Sequence, residues 1–263
     1  ASMYLFQGAF CLVAAVLYIL TGAYKTSPAP TTVLFGVLFG ICFMAASSLN
    51  AYCYAIGPMS ITTVISSMSL AVPLAYSCIF LKETISIPGI IGLGLLTLTM
   101  LISAIQSSAP KKSDISLKWF MCAIILFMLN GSTATIQKAV LLKTGAEQNG
   151  IFLTIAYSAS FILFMLKFIQ TNKSIKFKLS EQINKPLQAG AAAAVSGAGT
   201  FGGNGLLGYL STLLPAALLY PVQNSSYIIL NSLAAVCFFR EKLNKCKLLT
   251  IFLGIGAVIF LSI

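Results

Sequence analysis

Nine long apolar segments, almost free of charged residues, run along the chain. They cover residues 2–21, 32–56, 60–81, 85–105, 117–137, 150–170, 186–209, 215–239 and 247–263. A helix needs about 20 apolar residues to cross the hydrocarbon core of a bilayer. Only 8% of the residues are charged and 58% are hydrophobic, whereas a soluble domain carries roughly 25% charged residues. The sequence predicts an all-α, polytopic membrane helix bundle of about nine transmembrane helices, with no separate soluble domain.

The charges of the chain indicate orientation. A net charge of +11 would suggest nucleic acid as the partner of a soluble protein, but in a membrane protein Lys and Arg mark cytoplasmic loops. Twelve basic residues fall on the side of residue 1 and four on the other, which predicts that the first side is cytoplasmic. We expect a multi-pass protein of a bacterial plasma membrane, whose partner is the lipid bilayer and not nucleic acid; a homodimer stays an open alternative.

The residue types that support catalysis or metal binding are scarce. His is absent, which removes the commonest general base and metal ligand. The seven cysteines are scattered through apolar stretches without a CxxC pair, and all five acids fall in loops or at the ends of spans. We therefore expect no enzyme, no cofactor and no metal site. Lys138, the basic residue deepest in a span, is expected to snorkel to the interface, and Glu83 to pair with Lys82 or to cap a helix end at the surface.

Two stretches of the chain resemble each other. In each, a proline opens an apolar helix, a basic–Glu pair closes it, and a glycine-bearing helix follows. The proline and the glutamate are 25 residues apart in the first copy (Pro58 and Glu83) and 26 in the second (Pro215 and Glu241). A period near 158 residues is too long for a solenoid and fits a duplicated membrane half.

These two blocks, residues 58–103 and 215–262, resemble the paired repeat of the drug/metabolite transporter superfamily, in particular its EamA-like ten-helix members. The resemblance implies two inverted-topology repeats, alternating access and metabolite export. It divides the chain into a first repeat of four helices at 1–105, a loop at 106–116 and a second repeat of five helices at 117–263. It also implies a further helix before Ala1. The family's usual topology would put the strongly basic side outside, so either this member is inserted the other way round or the charge rule fails here.

Polar residues inside the spans indicate either a solute cavity or bonding between helices. The helix after Pro58 carries Thr62, Ser66, Ser69, Pro73 and Tyr76 on one face, and its counterpart after Pro215 carries two phenols and three amides. Amides have four hydrogen-bonding sites to satisfy, which favours a cavity for them. We predict these substrate-binding residues: Asn50, Tyr54, Ser66, Tyr76, Asn130, Tyr157, Asn204, Tyr220, Gln223, Asn224, Tyr227 and Asn231.

Small residues and one tryptophan indicate how helices pack. Residues 197–202 match G-x-G-x-x-G, yet they lie inside an apolar segment, so close packing or a locally unwound helix is favoured over dinucleotide binding. The pairs Gly36/Gly40 and Gly199/Gly203 fit the small-x-x-x-small packing motif. Trp119 and Phe120 are interpreted as an interfacial anchor.

Two functions are compatible with these features. The first is a transporter that binds a small polar or amphipathic metabolite, such as an amino acid, between aromatic and amide side chains. The alternative is a non-transporting membrane scaffold or a membrane enzyme. An enzyme would need a nucleophile with a base, or a metal cluster, and the residues present favour the transporter.

Overall fold

The computed structural model describes residues 2–57, 59–107, 116–175 and 186–224, together with residues 226, 230, 249, 252, 253, 255–257, 259 and 260. Every regular element in these residues is helical. The helices are α1 Ser2–Leu20, α2 Pro30–Ile56, α3 Met59–Met68, α4 Ala71–Phe80, α5 Ile87–Ser107, α6 Leu117–Thr144, α7 Asn149–Ile175 and α8 Pro186–Leu213. Residues 216–224 are also helical, and short 3-10 turns lie at Ala23–Lys25 and Ala146–Gln148. The all-α prediction is confirmed for this part of the chain.

Four of the described helices are long and apolar enough to cross a membrane: Met3–Leu20, Pro30–Ile56, Leu117–Thr144 and Ala146–Thr171. Their surfaces carry large apolar side chains; on α1, for instance, Leu12, Val16 and Ile19 are all exposed. A soluble protein rarely exposes so continuous an apolar surface. These helices fit a membrane-embedded protein.

The predicted span 60–81 is not one helix. It forms α3 and α4, separated by a turn at Ser69 and Leu70. The cause is Pro73, the third residue of α4, because proline lacks the backbone N–H of an intrahelical bond and its ring clashes with the carbonyl four residues earlier. That carbonyl belongs to Ser69, where the break occurs. The expectation that the predicted polar residues belong to one continuous helix is therefore wrong.

Helix α6 is longer than the sequence predicted. It continues seven residues beyond residue 137 and ends at Thr144. The next residue, Gly145, has a positive φ of 94°, which glycine adopts more easily than other residues. The predicted spans at 215–239 and 247–263 extend over residues outside the described part of the chain, as do Arg240 and Glu241 of the second repeat copy.

The described residues form two compact units. The first consists of Ala1–Ala45 and Ile136–Leu213, and in it α1 packs against α7 and α8. Its core is aromatic: Phe39 meets Phe152 edge-on at 5.6 Å between ring centroids, and Tyr18 lies 4.6 Å from Phe201. Edge-to-face and tilted pairs of this kind add about 0.5–1.5 kcal/mol each beyond burial.

Glycines on α2 let this helix approach α7 closely. A Cβ added at Gly40 would lie 2.6 Å from the carbonyl oxygen of Ala156 on α7, and one added at Gly36 would lie 3.0 Å from Ile155. The packing motif predicted on α2 is confirmed. The prediction that Gly199 and Gly203 form a packing motif is wrong, because a Cβ at either position would meet nothing within 4 Å in the described structure.

On α8, different glycines make the close contacts. A Cβ added at Gly197 would lie 2.6 Å from Val13 of α1, and one at Gly205 would lie 3.1 Å from the Tyr18 hydroxyl. Since α8 is helical throughout Pro186–Leu213, the segment that matched G-x-G-x-x-G is not unwound. Of its three glycines, Gly197 makes a close contact, and a Cβ at Gly199 or Gly202 would meet nothing within 4 Å in the described residues. Gly197 and Gly205 are eight residues apart, and Phe201 midway between them packs on Tyr18, so the contact face repeats every four residues, as expected for one side of an α-helix.

The second unit consists of Ala46–Thr135 and Leu214–Ile263. Ala46 and Cys53 of α2 pack there against Trp119, Ala123 and Leu126 of α6 in a buried cluster. A smaller cluster joins Ala257 to partly buried Met68, Leu70 and Leu95. Helix α3 also packs against α5.

Candidate functional site

The break between α3 and α4 collects polar groups in the second unit. Around this break the backbone hydrogen bonds join residues three apart in sequence instead of four. The Ser69 amide donates to the Ser66 carbonyl at 3.3 Å, and the Val72 amide donates to the Ser69 carbonyl at 3.0 Å. The Ser69 hydroxyl also donates to the Ser66 carbonyl at 2.6 Å. A broken helix frees carbonyl groups of the preceding turn for other donors.

Asparagine side chains from other helices donate hydrogen bonds to polar groups at this break. Asn130 Nδ2 on α6 donates to the Ser66 hydroxyl at 2.7 Å, and Asn224 Nδ2 donates to the Ser67 carbonyl at 3.2 Å. Beside them Gly131 permits the close approach of α6, since a Cβ there would collide with Val72 and would lie 2.6 Å from the Ser69 carbonyl oxygen. Three of the predicted binding residues, Ser66, Asn130 and Asn224, therefore meet at the break.

Asn50 on α2 differs from these amides. Its Oδ1 is completely buried and accepts no hydrogen bond in the described structure. The residue lies between Ala46 and Cys53 on the α2 face that packs against α6. Gly57 at the end of α2 is in contact with Trp119 near the start of α6, so the two helices are antiparallel there. A buried carbonyl without a donor typically lowers stability by about 1–3 kcal/mol.

The other predicted residues of the second unit have varied surroundings. Tyr220 is buried and donates from its hydroxyl to the Ala134 carbonyl at 3.2 Å. Gln223 is exposed, Tyr54 is half-buried, and half-buried Tyr76 stacks on Phe80 with 5.2 Å between ring centroids. The predicted residues Tyr227 and Asn231 lie outside the described residues.

Tyr157 and Asn204 belong to the first unit, where they join a polar seam. Asn204 Nδ2 donates to the Tyr157 hydroxyl at 2.7 Å. Gln137 Nε2 on α6 donates to Asn149 Oδ1 and to the Asn204 carbonyl, both at 3.1 Å. Asn149 Nδ2 then donates to the Gly205 carbonyl at 2.7 Å. These bonds hold the glycine-rich part of α8 against α6 and α7.

Asn149 and Tyr18 were not predicted as functional residues. The Tyr18 hydroxyl donates to the Phe201 carbonyl at 2.6 Å, so α1 joins the same seam. Asn149 begins α7 immediately after a turn, and a residue at such a place is ordinarily interpreted as a loop amide. Only its distant partner on α8 shows its role.

Two expectations about single residues are wrong. Lys138 does not snorkel: it is 2% exposed, within a helix that extends to Thr144. Trp119 is not an interfacial anchor, because it is 2% exposed and its indole N–H donates to the Thr62 hydroxyl at 3.0 Å. Its neighbour Phe120 is exposed, as the anchor interpretation required.

Glu83 caps a helix end, one of the two roles expected of it. Its Oε2 accepts a hydrogen bond from the Ala216 backbone amide at 2.7 Å. The carboxylate is partly buried and its partner is 133 residues away. Among the residues that the structure describes, no three His, Cys, Asp or Glu side chains are grouped to hold a metal ion.

No protein-family model matches the chain, and no curated protein matches it in sequence. Among solved structures, 27 chains match. One of them, from a crystal structure described only as that of a protein, aligns over 99% of this chain and 87% of its own length, with a TM-score of 0.74 and 13% sequence identity. At this identity the likeness shows a shared fold.

Proposed function

We propose that the protein is a membrane transporter that moves a small polar or amphipathic solute, such as an amino acid, by alternating access. The observation that supports this most is the buried Oδ1 of Asn50, which lacks a hydrogen-bond donor in the described structure. A buried carbonyl without a hydrogen-bond donor lowers the stability of a protein. A solute with an N–H or O–H group would satisfy it.

The position of Asn50 supports the same proposal. Because α2 and α6 are antiparallel and Gly57 contacts Trp119, Asn50 lies at the level of Leu126. This is about 6 Å along the helix axis from the level of Asn130, one helical turn away. Asn130 is the α6 amide bound at the helix break. Discontinuous helices with free carbonyls are typical of solute sites in secondary transporters.

The repeat supports the transport step. The paired blocks that begin at Pro58 and Pro215 resemble the duplicated halves of EamA-like transporters, and inverted halves that rock against each other are a common basis of alternating access. We accordingly propose that the chain belongs to the drug/metabolite transporter superfamily. Its localisation would be a bacterial plasma membrane, with the solute and the lipid bilayer as its partners.

Flux through proteoliposomes tests the proposal. The purified chain would be reconstituted and supplied with ¹⁴C-labelled L-threonine, uridine, glucose and choline, one solute at a time. We expect one of these solutes to cross faster than in protein-free vesicles. In Asn50→Leu the flux should fall at least about tenfold, the effect of losing roughly 1.4 kcal/mol of binding, while the protein becomes about 1 kcal/mol more stable because the unpaired carbonyl is gone.

Ser132→Ala is the matched control. Ser132 lies on α6 two residues from Asn130, but its hydroxyl bonds the Met128 carbonyl of its own helix, so its removal should leave flux unchanged. If no solute of the panel crosses, the result would support the alternative function, a non-transporting membrane scaffold. Unchanged flux in Asn50→Leu would show that Asn50 does not bind the solute.

A further inference from the structure

The helix at residues 216–224 is held at three positions spaced four residues apart. The Ala216 amide donates to Glu83 at 2.7 Å, the Tyr220 hydroxyl donates to the Ala134 carbonyl at 3.2 Å, and Asn224 Nδ2 donates to the Ser67 carbonyl at 3.2 Å. Residues at i, i+4 and i+8 lie on one face of an α-helix. The side-chain bonds of Tyr220 and Asn224 therefore lie on one face of this helix, and its first free backbone amide, that of Ala216, is bound by the Glu83 carboxylate.

The local conformation brings the carboxylate to this place. Helix α4 ends at Phe80, and Lys82 then takes a left-handed φ of 56°, which turns the chain so that the Glu83 amide donates back to the Ser77 carbonyl at 3.2 Å. The first amides of a helix have no intrahelical acceptor, and the helix dipole favours a negative charge beside them. Pro215 precedes Ala216 and has no N–H of its own, so the Ala216 amide is the first one available.

We propose that Glu83 is a positioning residue for the solute site: by holding Ala216 it sets the axial position of helix 216–224 and so places the Asn224 amide at the break between α3 and α4. This inference rests on the proposed function. Asn224 lies eight residues from the point of attachment, about 12 Å along the helix. A displaced attachment would therefore move the amide away from Ser67. A cap that only stabilised the protein would act on folding and leave solute affinity unchanged.

The test compares Glu83→Ala, Glu83→Gln and Asn224→Ala in proteoliposomes, with the panel solute of highest flux as the probe. Glu83→Ala should raise the KM about tenfold and leave the maximal rate within twofold. Glu83→Gln keeps an oxygen that accepts from Ala216, so its KM should stay within threefold of the unmodified protein. In the Asn224→Ala background, Glu83→Ala should change the KM less than twofold, because Glu83 acts through Asn224.

The matched control is Glu147→Ala, which removes an exposed carboxylate and should leave the KM unchanged. Three results would overturn the inference: an unchanged KM in Glu83→Ala, a glutamine variant as impaired as the alanine variant, or an equal KM increase in the Asn224→Ala background.

Hydrogen exchange separates the inference from the proposed function. In detergent-solubilised full-length protein, Glu83→Ala should speed exchange of the amides at 216–220 at least tenfold and leave those of α1 unchanged. Unchanged exchange at 216–220 would refute the attachment whether or not any solute is transported. If exchange responds but no panel solute crosses, the attachment stands as a contact, the proposed transport function fails, and the positioning role fails with it.

Discussion

Lys82 has a backbone conformation that its side chain does not favour. Its φ of 56° is left-handed, a region that is unfavourable by roughly 1–2 kcal/mol for residues with a Cβ. We expect Lys82→Val, which adds branching at Cβ, to lower the free energy of unfolding by about 1–2 kcal/mol. Lys82→Gly should leave it equal or raise it by up to about 1 kcal/mol. Denaturant titration of the purified protein in detergent measures both.

Thr84→Val is the control for these variants. Thr84 is exposed in the same loop and has no left-handed backbone, so its replacement should change stability by less than about 0.5 kcal/mol. Equal stability of Lys82→Val and Lys82→Gly would contradict a strained conformation at this residue.

Single residues also show where prediction from sequence stops. The position of Glu83 at the end of an apolar span predicted that it would pair with Lys82 or cap a helix end. The sequence did not indicate which helix it caps, because Ala216 is 133 residues away. The burial of Lys138 and Trp119 depends on which helix face meets a neighbour. Residue type and depth along the span do not specify this, so both were wrongly expected near the interface.

At the scale of elements, the length of an apolar segment was enough to predict where a continuous helix begins and ends. Helices α1, α2, α5 and α7 begin and end within about five residues of the predicted spans. The break at Ser69 was also encoded locally, because Pro73 removes a backbone donor and excludes a carbonyl four residues earlier. Apolar periodicity continues across the break, however, and so a pattern of hydrophobicity alone does not reveal it.

The close packing of α6 against this break predicts how a methyl group added at Gly131 changes stability. A Cβ at Gly131 would collide with Val72 and lie 2.6 Å from the Ser69 carbonyl oxygen. We expect Gly131→Ala to lower the free energy of unfolding by about 1–3 kcal/mol, the usual effect of overpacking. Thermal unfolding in detergent, followed by size-exclusion chromatography, measures the loss.

Gly94→Ala is the matched comparison on α5. A Cβ at Gly94 would meet nothing within 4 Å, and alanine favours a helix interior over glycine by about 0.5–1 kcal/mol. The two variants should therefore shift stability in opposite directions. A loss of stability in both would show that the close approach at Gly131 is not what distinguishes it.

At the scale of the whole molecule, the distribution of charge predicts which loops share a side of the membrane. Helix α5 separates the loop that contains Lys82 from residues 106–116, which contain Lys111 and Lys112. If α5 spans the bilayer, the two loops lie on opposite sides, and the charge rule assigns the loop with Lys111 to the cytoplasm. The resemblance to EamA-like transporters assigns it to the outside, so one experiment decides between them.

Single cysteines provide the measurement. With the seven native cysteines replaced, Ser113→Cys and Thr84→Cys would each be exposed to a membrane-impermeant maleimide on intact cells and on inverted vesicles. The charge rule predicts that Ser113→Cys reacts only in inverted vesicles and Thr84→Cys only on intact cells. The reverse pattern would support the family topology and show that basic residues do not set the orientation of this chain. Labelling of both cysteines from one side would contradict α5 as a membrane span, because a spanning helix cannot begin and end on the same side.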